Sequence, residues 1–278
     1  MTAYRERTVR DADGVDLHTY TWDAASPRAV VHVVHGVGEH ALRYAELAQV
    51  LRDAGFTVVA DDHRGHGATG LGHRGLAELG EGRNHAAIAG VDAVGRAIRA
   101  EQPDVPLVLL GHSWGSFIAQ RIVARSSERY AGLVLSGSSL ALPGLTRSSG
   151  FNRRWAGPGA TGLEWLSRDP AVWERFAADP LTFDVAVTPA FSYLESLPLS
   201  GLTPRRLAHD LPVLVQGGEL DPVGGARGLR ALAWAYRRWT RLSDVTCHVY
   251  PGARHEVYNE TNADEVVGDL VTWLTARF

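Results

Sequence analysis

Residues 106–120 read PLVLLGHSWGSFIAQ and give the clearest indication of the fold of this chain. The first five of these residues form an unbroken apolar run of strand length, and the residues from 116 onward favour a helix. Between them, Gly111-His112-Ser113-Trp114-Gly115 fits the pattern G-x-S-x-G, in which the glycines allow a tight turn from strand to helix. Because such a turn lifts the serine hydroxyl clear of the sheet, Ser113 is a candidate nucleophile.

Strands and helices alternate on both sides of this stretch. Further apolar strands are predicted at residues 29–34, 56–60, 132–136, 212–216 and 246–250, and helices at residues 43–54, 84–100, 113–125 and 262–277. Strands separated by helix-length segments pair in parallel through right-handed crossovers, and continuous apolar strands are covered on both faces. Residues 8–9 and 17–21 flank Asp13-Gly14 and predict a hairpin at one edge. The expected fold is α/β, with a mostly parallel, doubly wound sheet and an N-terminal antiparallel hairpin.

Residues 140–206 interrupt the alternation with a segment that is rich in proline and aromatic residues, Pro143 among them, and has no strand pattern. A structureless loop of this length is improbable in a compact domain, so the segment is predicted to be a helical cap insertion. The chain then divides into an α/β core at residues 1–139, the cap at 140–206 and the rest of the core at 207–278. Trp155, Trp165 and Phe183 either line the substrate site or form the core of the cap itself.

A serine hydroxyl is a poor nucleophile unless a histidine and an acid can reach it. In a parallel sheet, residues that meet at one site follow the carboxyl ends of the strands. Asp221 follows the apolar stretch at residues 213–220, and His255 follows the strand at residues 246–250 through a Pro-Gly-Ala turn. Glu219 and Glu256 are rivals for the acid, but Asp221 is preferred because Glu219 still belongs to the end of the strand. Ser113, Asp221 and His255 are the predicted catalytic residues.

Acyl transfer also needs backbone N–H donors where negative charge develops on the carbonyl oxygen. One predicted donor is the amide of Trp114, which directly follows the nucleophile. The other is the amide of Val37, in the glycine-rich turn at residues 35–38 after the first predicted parallel strand. The predicted oxyanion hole therefore consists of the Val37 and Trp114 amides.

Motifs over nearly the whole chain outside residues 140–206 follow the pattern of one known family. They are HGVGEH at residues 35–40, Arg43-Tyr44, Leu47-Ala48, Leu51, Gly55-Phe56, DHRGHG at residues 62–67, Gly111-His112-Ser113, Gly218 with Asp221, and His255-Glu256. With these motifs the chain resembles the monoacylglycerol lipase and lysophospholipase branch of the α/β-hydrolases, of the serine aminopeptidase S33 type. The chain order of serine, aspartate and histidine is also that of the α/β-hydrolase triad.

The resemblance implies a cofactor-free serine hydrolase that cleaves a carboxylic ester, either a monoacylglycerol, a lysophospholipid or another small to medium ester, through an acyl-enzyme. It implies the same triad and the same two oxyanion amides. The chain departs from the family pattern at Trp114 and Ser116, where the family typically has Met and Gly. Acyl transfer to another acceptor, cleavage of a thioester or lactone, and cofactor-free haloperoxidase chemistry would use the same residues and stay open.

Two other classes of function compete with this interpretation. Residues 36–41 read Gly-Val-Gly-Glu-His-Ala between a strand and a helix, with Asp61 and Asp62 about 20 residues on. This pattern alternatively predicts an NAD(P)-dependent oxidoreductase that uses the Gly36-Val37-Gly38 turn, but it leaves the three predicted catalytic residues unexplained. The second alternative is a non-catalytic ligand-binding homologue on the same fold, against which an intact set of three side chains argues.

The composition narrows the chemistry and the partners. All 28 basic residues are Arg, which excludes lysine nucleophiles, pyridoxal Schiff bases and P-loop lysines. A net charge of −3 gives no reason to expect nucleic acid, and the single Cys247 cannot form an intramolecular disulfide. The close histidine pairs His63 with His66 and His32 with His35 lack a third ligand at motif spacing. Neither a metal nor a cofactor is expected.

No apolar run in the sequence reaches the length of a membrane span, and the first residues do not form a signal peptide. The expected partner is a small-molecule ester, without an integral membrane segment and with a cytoplasmic location. The oligomeric state is left open.

Overall fold

A computed structural model describes residues 4–141 and 148–278 of the chain. Within them one sheet contains eight strands, which are β1 (Arg5–Arg10), β2 (Asp16–Trp22), β3 (Ala29–Val34), β4 (Phe56–Asp61), β5 (Leu107–His112), β6 (Gly132–Ser136), β7 (Val213–Gly218) and β8 (Val245–Tyr250). Their order across the sheet is β1-β2-β4-β3-β5-β6-β7-β8. The six strands from β4 to β8 in this order run parallel, whereas β2 pairs antiparallel with both β1 and β4.

The α/β fold with an antiparallel N-terminal hairpin is confirmed. In the hairpin Thr8 pairs with His18 and Val9 with Leu17. Gly14, in the turn, has φ +82°, a left-handed conformation that glycine adopts without strain. The hairpin therefore forms the antiparallel edge that the Asp13-Gly14 turn predicts.

Seven α-helices are found in the described residues. They are α1 (Ala45–Asp53), α2 (Gly67–His73), α3 (Asn84–Glu101), α4 (Trp114–Ser126), α5 (Pro170–Ala178), α6 (Gly225–Arg238) and α7 (Ala263–Thr275), with short 3₁₀ turns at Ala41–Tyr44, Ser127–Arg129, Ser148–Trp155, Leu194–Leu199 and Val257–Asn259. Two of the helices lie where no helix is predicted. The sequence of α2 contains three glycines, which are poor helix formers, so its composition does not predict a helix. In α6 the buried residues Leu229, Leu232, Ala233 and Tyr236 do have helical spacing.

The buried strands send alternate side chains into two apolar clusters, one on each face of the sheet. In β3, Val30 and Val34 join one cluster and Val31 and Val33 join the other. The first cluster includes residues of α3, α4 and α6, and the second includes residues of α1 and α7. Both faces of the sheet are therefore covered by helices, so a substrate site has to lie at an end of the strands.

Residues 148–206 contain helix α5 and two 3₁₀ turns, and Gly201 bridges to Ala141 where the segment rejoins the core. Leu163, Trp165, Leu166 and Phe176 form a small apolar cluster of their own. The boundaries of the cap at residues 140 and 206 stay a prediction. Part of it, residues 142–147 with Pro143, lies outside the described residues.

Candidate active site

Ser113 lies at the turn between β5 and α4, just beyond the carboxyl end of the strand. Its backbone has φ +52° and ψ −123°, a conformation that residues with a Cβ rarely adopt. The N–H of Ser113 donates to the carbonyl of Ser136, at the end of β6, over 2.9 Å. Such strain persists only where the surrounding structure imposes it, and it is concentrated at functional sites.

Close backbone packing explains the two glycines of the motif. A Cβ on Gly111 would lie 2.5 Å from the carbonyl oxygen of Gly115, and a Cβ on Gly115 would lie 2.1 Å from the carbonyl oxygen of Val34. Both obstacles are backbone atoms, which cannot move aside as a flexible side chain can. The turn therefore requires glycine at both positions.

His255 and Asp221 are in direct contact, although they follow different strands. The Nδ1–H of His255 donates to Oδ1 of Asp221 over 2.9 Å, and the same oxygen accepts the Val223 N–H over 2.8 Å. Both side chains are buried, and His255 and Ser113 line one cavity. The structure thus brings together the three residues that the sequence predicts to be catalytic.

The rival acids have other partners. An oxygen of the Glu219 carboxylate accepts the Gly252 N–H over 3.0 Å at the surface, and Glu256 forms a two-pronged ion pair with Arg43. The strand β7 ends at Gly218, so Glu219 lies past its end as Asp221 does, and the expectation that Glu219 belongs to the strand is wrong. Of the three acids, Asp221 is the one that bonds the imidazole of His255.

Nearby carboxylates control the charge on His255. Burial alone lowers its pKa, but the charge and hydrogen bond of Asp221, with the charges of Glu256 and Glu39, outweigh burial and raise the pKa above that of a free histidine. The neighbouring ring of His112 lies 4.7 Å away, centroid to centroid. Burial and the proximity of His255 lower the pKa of His112 to about 4, so its ring is neutral at neutral pH.

The two residues that carry the predicted oxyanion donors line one cavity with Ser113. Trp114 is the first residue of α4, so its N–H has no acceptor within the helix. In the turn that carries Val37, the N–H of Gly36 donates to Oε1 of Glu39 over 2.6 Å, and the N–H of Gly38 donates to Nε2 of His66 over 3.0 Å. These two bonds fix the turn on both sides of Val37 and thereby orient its amide.

His66 is a functional neighbour that the sequence patterns do not reveal. Its Nδ1–H donates to the carbonyl of Arg64 over 2.9 Å, which leaves Nε2 free of a proton to accept the Gly38 N–H. Burial lowers the pKa of His66 to about 3, so this neutral form persists at neutral pH. The second histidine of the DHRGHG motif therefore supports the turn that carries Val37.

A buried ion-pair cluster, Glu39, Arg43 and Glu256, was also not predicted. Arg43 bonds Oε2 of Glu39 and both carboxylate oxygens of Glu256, each over 2.8 Å, and its guanidinium lies 4.9 Å from the centre of the Phe176 ring. The i, i+4 spacing of Glu39 and Arg43 is a signal for the first pair. No local signal identifies Glu256, because it lies 213 positions from Arg43 in the chain.

Two cavities adjoin Ser113, and both are also lined by Val37 and Val185. The first, called here the apolar cavity, has about 510 Å³ of atom-free space and is also lined by Trp114, Phe117, Phe151, Pro189, Ala190, Phe191 and Val223. The second, called the histidine cavity, has about 330 Å³ and is lined by His112, His255, Glu39, Glu256, Asp184 and several cap residues. One cavity is nearly free of polar side chains, and the other contains the general-base candidate.

The three cap aromatics proposed to contact substrate are placed differently. Trp165 and Phe183 line the histidine cavity, and the Trp165 ring lies 4.8 Å from the His255 ring. Trp165 is at the same time part of the apolar cluster of the cap. Trp155 instead packs at the edge of that cluster and lies 4.7 Å from the Arg254 guanidinium.

The oxidoreductase interpretation of the Gly36-Val37-Gly38 turn is not supported. A Cβ on Gly36 would lie 3.1 Å from Cβ of Ser113, so the turn packs against the Ser113 turn and leaves little room between them. The acids predicted to meet a ribose are buried: Asp61 is bound by His32 and His63, and Asp62 by a tyrosine hydroxyl and two backbone amides.

Across residues 4–141 and 148–278, no helix is both long and apolar enough to cross a bilayer. In the same residues no group of three or more His, Cys, Asp and Glu side chains is arranged to hold a metal ion. The clustered histidines have protein partners instead, as His32 and His63 have in Asp61.

Comparison with known proteins gives consistent results. The family model for serine aminopeptidase, S33, matches residues 25–262. A monoacylglycerol lipase of Mycolicibacterium smegmatis is 32% identical over 286 residues, covering 98% of this chain and 97% of that protein. The crystal structure of a thermostable carboxyl esterase from Bacillus coagulans superposes with a TM-score of 0.85 at 24% identity, covering 100% and 99% of the two chains.

The monoacylglycerol lipase of Paleococcus ferrophilus is a further structural neighbour, with a TM-score of 0.70 and 25% identity over 94% of this chain and 99% of that one. The sequence matches extend beyond single motifs, because the family model alone spans most of the chain. The chain belongs to the serine aminopeptidase S33 family of α/β-hydrolases, among its monoglyceride lipase-like members.

Proposed function

We propose that this protein is a serine hydrolase that cleaves carboxylic esters, monoacylglycerol-like or other small to medium esters, through an acyl-enzyme. The observation that carries the proposal is the His255–Asp221 hydrogen bond beside a strained Ser113 at the end of β5. The names of the relatives, two monoacylglycerol lipases and an esterase, support the same class of substrate.

The proposed mechanism assigns a role to each residue of the site. Ser113 Oγ attacks the ester carbonyl while His255 accepts its proton, and His255 then returns that proton to the leaving alkoxide. Asp221 orients the imidazole and stabilises its cation. The amides of Val37 and Trp114 hold the oxyanion, and water then hydrolyses the acyl-enzyme with His255 again acting as base.

The two cavities suggest where the two parts of the ester bind. The apolar cavity suits the acyl chain, because its lining is almost entirely hydrocarbon and aromatic. The histidine cavity suits the alcohol, because the leaving oxygen needs to face the proton on His255. The cytoplasmic location stays a prediction.

Replacement of Ser113 by Ala tests the proposal. We expect Ser113→Ala to lose about a thousandfold or more in kcat for p-nitrophenyl butyrate and to escape labelling by a fluorophosphonate probe. Ser243→Ala is the matched control, because Ser243 is exposed and bonds Asp210 far from the cavities. Near-normal turnover by Ser113→Ala, or labelling of that variant, would show the assigned nucleophile to be wrong.

A further inference from the structure

The Trp114 side chain forms part of the apolar cavity wall next to Ser113. It is only 2% exposed, and its ring packs near His66 at 5.0 Å and near Phe191 at 5.9 Å, centroid to centroid. His66 belongs to the support of the Val37 turn, whereas Phe191 comes from the cap. The indole therefore fills the space between the oxyanion turn and the cap.

A single hydrogen bond fixes the orientation of this indole. Its Nε1–H donates to Oδ1 of Asn84 over 2.8 Å. Asn84 is the first residue of α3 and is completely buried. Because an indole N–H left without a partner in this dry environment costs free energy, the bond holds the ring in one position.

The other end of the Asn84 amide holds the cap. Its Nδ2–H₂ donates to the carbonyl of Glu195 over 2.7 Å. The Glu195 carboxylate in turn accepts the Ser192 N–H over 2.7 Å and pairs with Arg83 over 3.0 Å. Thus Asn84 also anchors the cap segment that follows Phe191.

The chemistry of the two partners requires a side chain that both accepts and donates. An indole N–H only donates and a carbonyl only accepts, so the residue between them needs one acceptor and one donor. Asn84 supplies both at the required spacing. One buried amide therefore positions two walls of the apolar cavity, the Trp114 ring and the cap segment beside it.

We propose that Trp114, held by Asn84, limits the length of the acyl chain that the apolar cavity accepts. This inference rests on the proposed ester hydrolase function. The atom-free space of about 510 Å³ includes open solvent at the mouth, so the enclosed part that the Trp114 ring borders is smaller. Trp114 is the specificity-determining residue, and Asn84 is a positioning residue that acts through it.

The test compares kcat/KM for p-nitrophenyl decanoate and p-nitrophenyl butyrate, and uses the ratio of the two values. We expect Trp114→Met, whose side chain is thinner and flexible, to raise the decanoate-to-butyrate ratio by roughly tenfold or more. Trp239→Met is the matched control, because Trp239 is exposed and distant from the cavity lining, and it should leave the ratio unchanged.

A second variant separates positioning from simple loss of stability. Asn84→Ala releases the indole and the cap segment, so it should also raise the ratio, by a smaller factor and mainly through a lower KM for decanoate. If Trp114→Met does not fold, Trp114→Phe, which retains an aromatic ring, replaces it with the same expected direction.

The outcomes are distinguishable from a failure of the proposed function. Cleavage of butyrate that disappears in Ser113→Ala establishes ester hydrolysis whatever the ratio is. A folded Trp114 variant whose ratio matches that of the unaltered protein would overturn the chain-length proposal. An unchanged decanoate-to-butyrate ratio in a folded Asn84→Ala variant would show that Asn84 does not position Trp114 for chain-length selection.

Discussion

His255 is the residue whose charge the surrounding side chains control most directly. It acts as a base only when neutral, yet Asp221, Glu256 and Glu39 raise its pKa against the effect of burial. Because a larger share of His255 is protonated at a given pH, activity should begin to fall at a higher pH than it would if His255 had the pKa of a free histidine. The benefit is a stabilised imidazolium after proton transfer.

We expect kcat/KM to rise with pH through this raised pKa of His255, and Glu256→Gln to move the rise to lower pH. The substitution removes one of the negative charges that favour the imidazolium and leaves the Arg43 cation in place. The measurement is kcat/KM for p-nitrophenyl butyrate against pH.

Glu46→Gln serves as the control, because Glu46 is exposed on α1 and is not among the charges that shift His255. A profile for Glu256→Gln that coincides with the unaltered one, or lies at higher pH, would contradict the electrostatic account.

Between elements, the contact of helix α4 with strand β3 determines where Ser113 lies. Residue 115 is in the first turn of α4, and its Cα approaches the carbonyls of Val34 and His35 at the end of β3. The turn at Ser113 and the turn after β3, which carries the predicted oxyanion donor Val37, are therefore brought together by one close backbone approach. Any side chain at this position separates them.

Gly115→Ala should destabilise the protein by about 4 kcal/mol or more, because a Cβ would lie 2.1 Å and 2.5 Å from two carbonyl oxygens. The measurement is urea unfolding monitored by circular dichroism, together with activity.

Gly268→Ala provides the contrast within a helix. Gly268 lies in α7, and a Cβ added there would meet no neighbouring atom within 4 Å, so alanine should stabilise the protein by about 1 kcal/mol through helix propensity. If Gly115→Ala had the same free energy of unfolding as Gly268→Ala, a Cβ at residue 115 would not clash with the backbone of β3 as the structure predicts.

At the scale of the whole molecule, Arg43 joins three parts of the chain. It pairs with Glu39, which follows the turn after β3, and with Glu256 beside the catalytic histidine candidate, and its guanidinium lies over the Phe176 ring of the predicted cap. All three charged side chains are at most 12% exposed, so neither carboxylate can turn to bulk water when its partner is removed. The cluster connects both halves of the core to the cap.

Arg43→Met should therefore destabilise the protein by about 3–5 kcal/mol at neutral pH, because it leaves two buried carboxylates without a cation. Burial raises the pKa of Glu256, but the Arg43 charge outweighs it and lowers that pKa below its ordinary value. The stability from this pair is present above the ordinary pKa of Glu and is lost as pH falls through the lowered one. The measurement is urea unfolding at neutral and at acidic pH. The difference in free energy of unfolding between the unaltered protein and Arg43→Met should be smaller at acidic pH.

Arg52→Met is the control, because Arg52 is partly exposed and pairs only with its neighbour Asp53 among the ion pairs of the described residues. Its effect should stay within about 0.5 kcal/mol at both pH values. If the loss of unfolding free energy in Arg43→Met became larger toward acidic pH, the stated link between the Glu256 pKa and stability would be contradicted.

Local sequence is sufficient to predict the alternation of strands and helices, the turn at Ser113 and the antiparallel hairpin. These features depend on residues within a few positions of each other, as in the glycines around Ser113 or the Asp13-Gly14 turn. Local position does not separate Asp221 from Glu219, because β7 ends at Gly218 and both acids follow it.

The contacts between residues far apart in the chain become known only from the folded structure. The Asn84 amide contacts Trp114, 30 positions away, and Glu195, 111 positions away, and Arg43 reaches Glu256 across 213 positions. No periodicity connects such residues, because their contact depends on the order of strands in the sheet and on how the cap folds back. The catalytic candidates were therefore visible in the sequence, whereas the cavity walls and charges that would tune them were not.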